Sequence, residues 1–271
     1  WRFDVAAARE GGSAGSASLV LQTVALPLLL AAGPSEVVVE GGTHLPASPC
    51  YDFLECVWAP ALQSLGWQVD VTLEAFGFYP RGGGRIRARF QGGTPPQPLW
   101  RVQRGPLREL VIRTIAANLP SHIPQRMSER ARALLRSLAV PLRIEPRRVR
   151  AASPGALTFL VADYGGDRCG FTGFGAPGKP SERVAEEAVD LLLAHRRRNA
   201  AVDQWLADQL LLPLAFAGAI SRFRTDVATL HLRTQAALLA TLGLAQVRLR
   251  ELADAVEVEV APRAAAADHA T

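Results

Sequence analysis

One order of elements occurs twice in this sequence, and that recurrence constrains the fold more than any single motif. Residues 2–7 read as a strand and 14–32 as a helix that Gly33 stops. Residues 36–40 are short and β-branched, hence a strand. Asp52 is the expected N-cap of a helix to Leu65, stopped by Gly66 and bent at Pro60. Residues 67–74 and 84–90 alternate apolar and polar side chains, as half-buried strands do. The C-terminal third repeats the order: a strand over 169–174, a helix from Ser181 to His195, a helical stretch over 201–217 interrupted by Pro213, and a strand over 221–225. A helix capped by Thr229 and two closing strands over 245–252 and 255–260 follow. Two segments with one order predict a structural repeat.

The piece between them differs. A Gly/Pro/Gln linker at 91–98 leads to a strand over 107–116, a helix over 124–139 and strands over 142–149 and 156–162. The predicted fold is therefore α+β: repeated two-helix, four-stranded βαβαββ units with a small inserted α+β domain. The units span 1–98 and 168–260, the insert 99–167, and 261–271 forms a disordered, Ala-rich tail.

Charge singles out the insert. Residues 99–167 hold twelve arginines and five acids, a net of +7, while the chain as a whole carries +5. A phosphate-contacting surface fits that surplus, as does a solvated Arg face. All but one of the 30 basic residues are arginine, which codon usage in a GC-rich genome also explains. An apolar content of 49% excludes disorder. The longest apolar stretch, 19–32, is too short and too interrupted to span a bilayer, so no membrane association is expected. Cys50, Cys56 and Cys169 form neither a disulfide framework nor a paired metal-ligand spacing, which points to a reducing, cytoplasmic setting. No metal ligands are assigned.

Of the five histidines, His122, His195 and His269 read as solvated, and His44 lies in a loop with no clear role. His231 falls in the first turn behind Thr229, where backbone N–H groups can meet a phosphate and an imidazole can act as a nucleophile. The spacing alone also fits an ordinary core or surface histidine. Gly11-Gly12-Ser13-Ala14-Gly15 precedes a helix but matches neither the Walker pattern nor the dinucleotide fingerprint. Asp208 and Gln209 interrupt an apolar helix and need partners if buried.

Five stretches, in order, resemble the RNA 3′-terminal phosphate cyclase family. They are Gly15-Ser16-Ala17-Ser18-Leu19-Val20-Leu21-Gln22-Thr23, Gly41-Gly42-Thr43, Gly77-Phe78-Tyr79-Pro80-Arg81-Gly82-Gly83-Gly84, Trp205-Leu206-Ala207-Asp208-Gln209-Leu210 and His231-Leu232-Arg233-Thr234. The resemblance implies a domain of three repeats, the third interrupted by a smaller one, with the first repeat absent from this chain. It implies an ATP-dependent enzyme that converts an RNA 3′-phosphate end to a 2′,3′-cyclic phosphate through a histidine–AMP intermediate. By carry-over His231 is the nucleophile, and Gln22, Trp205, Leu206, Ala207, Asp208 and Gln209 contact the nucleotide. Pro46 and Pro49 line the adenine pocket, and a divalent cation, Mg or Mn, accompanies ATP. Leu45 replaces a family Asn, Phe76 a usual Arg or His, and Gln235 an Asn. The alternative is a non-catalytic cyclase-like protein that binds RNA or a ribonucleoprotein.

Overall fold

The computed structural model describes residues 1–5 and 15–263. Among them are six helices and three four-stranded sheets. The N-terminal sheet is built from β1 (Arg2–Asp4), β2 (Gly33–Gly41), β3 (Gln68–Ala75) and β4 (Gly84–Gly92) in the order β1-β2-β4-β3. β1 and β2 are parallel, and β4 runs antiparallel to both β2 and β3. Helix α1 (Ala17–Leu30) packs on β2 and β4 through Leu21, Ala25 and Leu29, which meet Val37, Val39, Ile86 and Ala88 in the core.

Helix α2 covers 51–64 and widens into a π-helical turn at Leu54–Trp58. Pro60 therefore does not break the helix. It has no N–H to donate, and the wide turn just before it absorbs the mismatch. Cys50, not Asp52, is the N-cap residue; Asp52 lies inside the first turn and is buried. The rule that acids favour caps lost here to burial against an ion partner.

The middle sheet has the order β7-β6-β8-β9, from β6 (Glu109–Ala117), β7 (Leu142–Val149), β8 (Gly155–Asp163) and β9 (Arg168–Phe174). Helices α3 (His122–Leu135) and α4 (Ser181–Arg196) belong to the same stretch of chain. The strand expected to open the second repeat unit thus pairs elsewhere: Arg168–Phe174 lies antiparallel to β8. The true first strand of the C-terminal sheet is β5 (Trp100–Arg101), a two-residue element in the stretch that the sequence leaves unassigned between the 91–98 linker and the strand from 107.

With β5 in place, the C-terminal repeat runs β5, α5 (Gln204–Leu214), β10 (Ser221–Thr225), α6 (Leu230–Thr241), β11 (Ala245–Glu251) and β12 (Val256–Pro262). Its sheet order is β5-β10-β12-β11. β5 and β10 are parallel, and β12 is antiparallel to β10 and β11. Order and strand directions match those of the N-terminal sheet.

The chain forms two compact units. One comprises Trp1–Gln63, Trp67–Thr94 and Gly105–Ala194; the other comprises Ser64–Gly66, Pro95–Arg104 and the chain from His195. Gly11–Ala14 of the glycine-rich loop, most of the expected tail and His269 lie outside the described residues. Among the described residues no helix is long and apolar enough to cross a membrane.

Candidate active site

In the second unit, Asp203 caps α5. Its buried carboxylate accepts from Trp205 N at 3.0 Å and Leu206 N at 2.9 Å. This acid was not singled out from the sequence, although Asp three residues before an apolar helical run is a recognisable cap signal. Leu206 and Ala207 are closed off in the core, so they seat the helix. The accessible groups of this motif are the half-buried Trp205, Asp208 and Gln209.

Helix α6 packs on α5. The Thr229 hydroxyl accepts from Leu232 N at 3.1 Å, and Leu232 is fully buried. Cap and anchor together fix the first turn and leave His231 on its exposed side. Arg233 is tied to Glu251 at 2.7 Å and to the Ala228 carbonyl at 3.1 Å. Burial pushes the Asp208 carboxyl up to about 6, and the nearby positive charge of His231 pulls partly against that shift. The pair thus places an exposed imidazole at a helix N-terminus beside a carboxyl that exchanges its proton near neutrality.

Gln22, Pro46 and Pro49 lie in the first unit. Gln22 is half-buried on α1, whose cap Ser16 accepts from Leu19 N at 3.3 Å. Ser18 donates to the Pro49 carbonyl at 2.6 Å, which ties the 43–49 loop to the start of α1. Pro46 is exposed and Pro49 half-buried. Leu45 is buried, and a Cβ at Gly42 would come within 2.3 Å of its side chain. The apolar replacement therefore fills space over a glycine and offers no polar group.

The same loop resolves His44. Its ring is buried and stacks between Phe76 and Phe78, with both centroids at 5.2 Å. Nδ1 lies 2.7 Å from Thr43 Oγ1, and Nε2 lies 2.9 Å from Asp52 Oδ2. Arg113 from β6 donates to Asp52 at 2.7 Å, to Glu55 at 2.7 Å and to Glu145 at 2.9 Å. Burial would raise the Asp52 carboxyl, but the hydrogen bond and charge of His44 and the charge of Arg113 outweigh it and hold the carboxyl low. Phe76 is taken up in the stack on this histidine. His44 is thus part of a buried ionic clamp. His195, expected to be solvated, is also buried, with Nδ1 at 2.6 Å from Asp226 Oδ1. His122 is exposed as expected.

No cluster of three or more His, Cys, Asp or Glu among the described residues could hold a metal ion. The sequence matches a model of the RNA 3′-terminal phosphate cyclase family over residues 2–249. It is 47% identical over 251 residues to a protein of Methylococcus capsulatus named RNA 3′-terminal phosphate cyclase, covering 92% of this chain and 70% of the relative. A protein of the same name from Nostoc punctiforme is 44% identical over 261 residues, covering 96% of this chain and 74% of the relative. A third, from Gloeothece citriformis, is 40% identical over 249 residues. By these sequence matches, this chain belongs to the RNA 3′-terminal phosphate cyclase family.

Proposed function

We propose that this chain acts as an ATP-dependent RNA 3′-phosphate cyclase in a cytoplasmic setting, with His231 as its nucleophile. The observation that carries the reading is the exposed His231 at the capped start of α6 with Asp208 as its charged neighbour. A ring nitrogen of His231 attacks the α-phosphorus of ATP. The N–P bond forms as the bond to the β-phosphate oxygen breaks, and pyrophosphate leaves with that electron pair. The Asp208 carboxylate receives the proton that the ring sheds from its other nitrogen. A 3′-phosphate oxygen of the RNA then takes the AMP from His231, and the ring recovers its proton. Finally the vicinal 2′-hydroxyl attacks the activated phosphate, closing the 2′,3′-cyclic ester and releasing AMP.

Trp205 offers an aromatic face for the adenine, and Gln209 an amide for the nucleotide. The N–H groups of the first turn of α6 lie where phosphate oxygens would meet the positive helix end. A divalent cation, Mg or Mn, would enter with the triphosphate and neutralise part of its charge. Gln22, Pro46 and Pro49 are further nucleotide contacts on this reading.

Incubation with α-labelled ATP and Mg²⁺ tests the proposal. Label should appear on the protein, be lost in acid and survive alkali, and be absent from His231→Ala. Persistent labelling of that variant would exclude His231 as the acceptor. Leu45, apolar and buried where the family carries an amide, favours a second reading: an RNA-binding protein without turnover. That reading predicts RNA binding with no label on the wild-type chain.

A further inference from the structure

The insert's charge surplus is less free than its composition implies. Of its twelve arginines, Arg113, Arg126, Arg130, Arg143 and Arg147 are each paired with an acid. Arg148 and Arg150 have no acidic partner among the described residues, and both are exposed. They stand at the end of β7, an edge strand of its sheet.

The segment that follows them is clamped to the Gly77–Gly84 turn of the N-terminal repeat. Phe76 pairs with Ala151 as an isolated parallel bridge. Arg81 N donates to the buried Ser153 hydroxyl at 3.1 Å. A Cβ at Gly155 would fall 2.1 Å from the Phe78 ring, so only glycine allows that approach. Asn118 braces the same segment, donating to Ala151 O at 2.7 Å and accepting from Ala151 N at 3.3 Å. Arg148 Nε donates to the Leu119 carbonyl at 2.9 Å, which orients the guanidinium and leaves both Nη groups for another partner. On the turn itself, Tyr79 is 72% exposed and Arg81 is exposed with no acidic partner among the described residues.

We propose that Tyr79, Arg81, Arg148 and Arg150 form a docking ledge for a single-stranded segment of the RNA substrate. This rests on the cyclase reading for the identity of the RNA. Three guanidinium groups with no acidic partner among the described residues, together with one exposed aromatic ring, are what a single strand requires: charge for its phosphates and a face on which a base stacks. Because the ledge is braced from both segments, little ordering is lost on binding. A peptide partner adding a strand to β7 fits less well. Pro146 removes a ladder donor in mid-strand, and the arginines blunt the edge.

The test is fluorescence anisotropy with the full chain and a 5′-labelled single-stranded RNA ending in a 3′-phosphate, over a salt series. Arg148→Ala/Arg150→Ala should weaken binding about tenfold or more and flatten the salt slope by about 0.7 log units per lost contact. Tyr79→Ala should weaken binding roughly tenfold and leave the slope unchanged, because stacking carries no charge. All these side chains are exposed, and thermal unfolding confirms that the variants fold. An unchanged slope in the arginine variant would overturn the ledge. So would equally tight binding of polyglutamate with no effect of Tyr79→Ala, which would mark an acidic protein as the partner. Labelling of the wild-type chain by α-labelled ATP is scored separately. A chain that takes up AMP but shows no arginine effect keeps the cyclase reading and loses the ledge. A chain that takes up none, yet loses RNA on arginine substitution, keeps the ledge and loses the enzyme.

Discussion

The two repeats share one sheet order and differ in what stands at equivalent helix positions. Gln22 and Gln209 each lie six residues after the cap of the first helix, Ser16 in one repeat and Asp203 in the other. Asp52 and His231 each lie two residues after the cap of the second helix, Cys50 and Thr229. Asp52 is buried and bound by His44 and Arg113. His231 is exposed, and its charged neighbour Asp208 is pushed toward neutrality by burial. Topology therefore sets where a polar side chain emerges. Packing against the middle sheet decides whether that side chain is consumed as structure or left for chemistry.

Breaking the clamp should produce the largest effect. Arg113→Met would leave Asp52 and Glu55 facing each other without their shared cation, and removing one member of a buried ion cluster costs about 3–5 kcal/mol. Urea unfolding would measure this. His231→Ala, at the equivalent exposed place, should change stability by less than about 0.5 kcal/mol while removing the AMP label. A small loss in the Arg113 variant would show that the two positions do not differ as argued. The clamp also carries a pH signature. The Asp52 carboxyl is held below its ordinary value of 3.8, so its contribution is present above that value and is lost as pH falls through the lowered one. Asp52→Asn should flatten that acid limb.

Asp208 should behave in the opposite sense, with a smaller effect. Its carboxyl keeps a proton up to about 6 in the folded chain, against an ordinary value of 3.8. Below the ordinary value both states are protonated and the residue costs nothing. Between the two values the folded chain binds more protons than the unfolded one, so stability falls as pH rises, and the full cost is present above about 6. Discounted for the group's partial exposure, that cost is about 1–2 kcal/mol. Asp208→Asn should therefore stabilise the chain at pH 8, leave it unchanged at pH 3 and lower the rate of labelling. Equal melting shifts at both pH values would remove Asp208 as the titrating partner of His231.

The sequence made much of this comparison legible, for physical reasons that also explain the gaps. Thr229 and Gly243 bracket α6 with standard cap chemistry, so the turn holding His231 followed from residue types alone. β5 did not, because two residues in a Pro- and Gln-rich segment carry no periodicity. Arg168–Phe174 was recognisable as a strand, but its choice of β8 as partner is a tertiary event. Missing β5 and misplacing that strand are one error, since each sheet needs four strands. His44 was unreadable because its partner Asp52 had been read as a cap and Arg113 lies in another sheet. Acid partners, most of them distant in sequence, tie up five of the insert's twelve arginines.

The smallest effect concerns the caps themselves and sharpens the comparison most locally. Thr229 accepts a hydrogen bond from Leu232 N, whereas Cys50, at the matching place in the other repeat, makes no side-chain cap bond. Cys50 is instead buried, its thiol pushed well up by desolvation, with Sγ 3.8 Å from Thr172 Oγ1. Thr229→Ala should cost about 1 kcal/mol through the lost cap. It should also slow labelling, because the first turn that fixes the His231 ring would fray. Cys50→Ala loses no cap bond, only one buried sulfur, and should cost about 1 kcal/mol or less while leaving the exchange of backbone amides at the start of α2 unchanged. Amide hydrogen exchange at 230–233 and 51–54 separates the two mechanisms. Faster exchange is expected at the start of α6 in Thr229→Ala, and none at the start of α2 in Cys50→Ala. Fraying in both variants would mean that Cys50 caps its helix after all. The two repeats would then differ at this position only in burial.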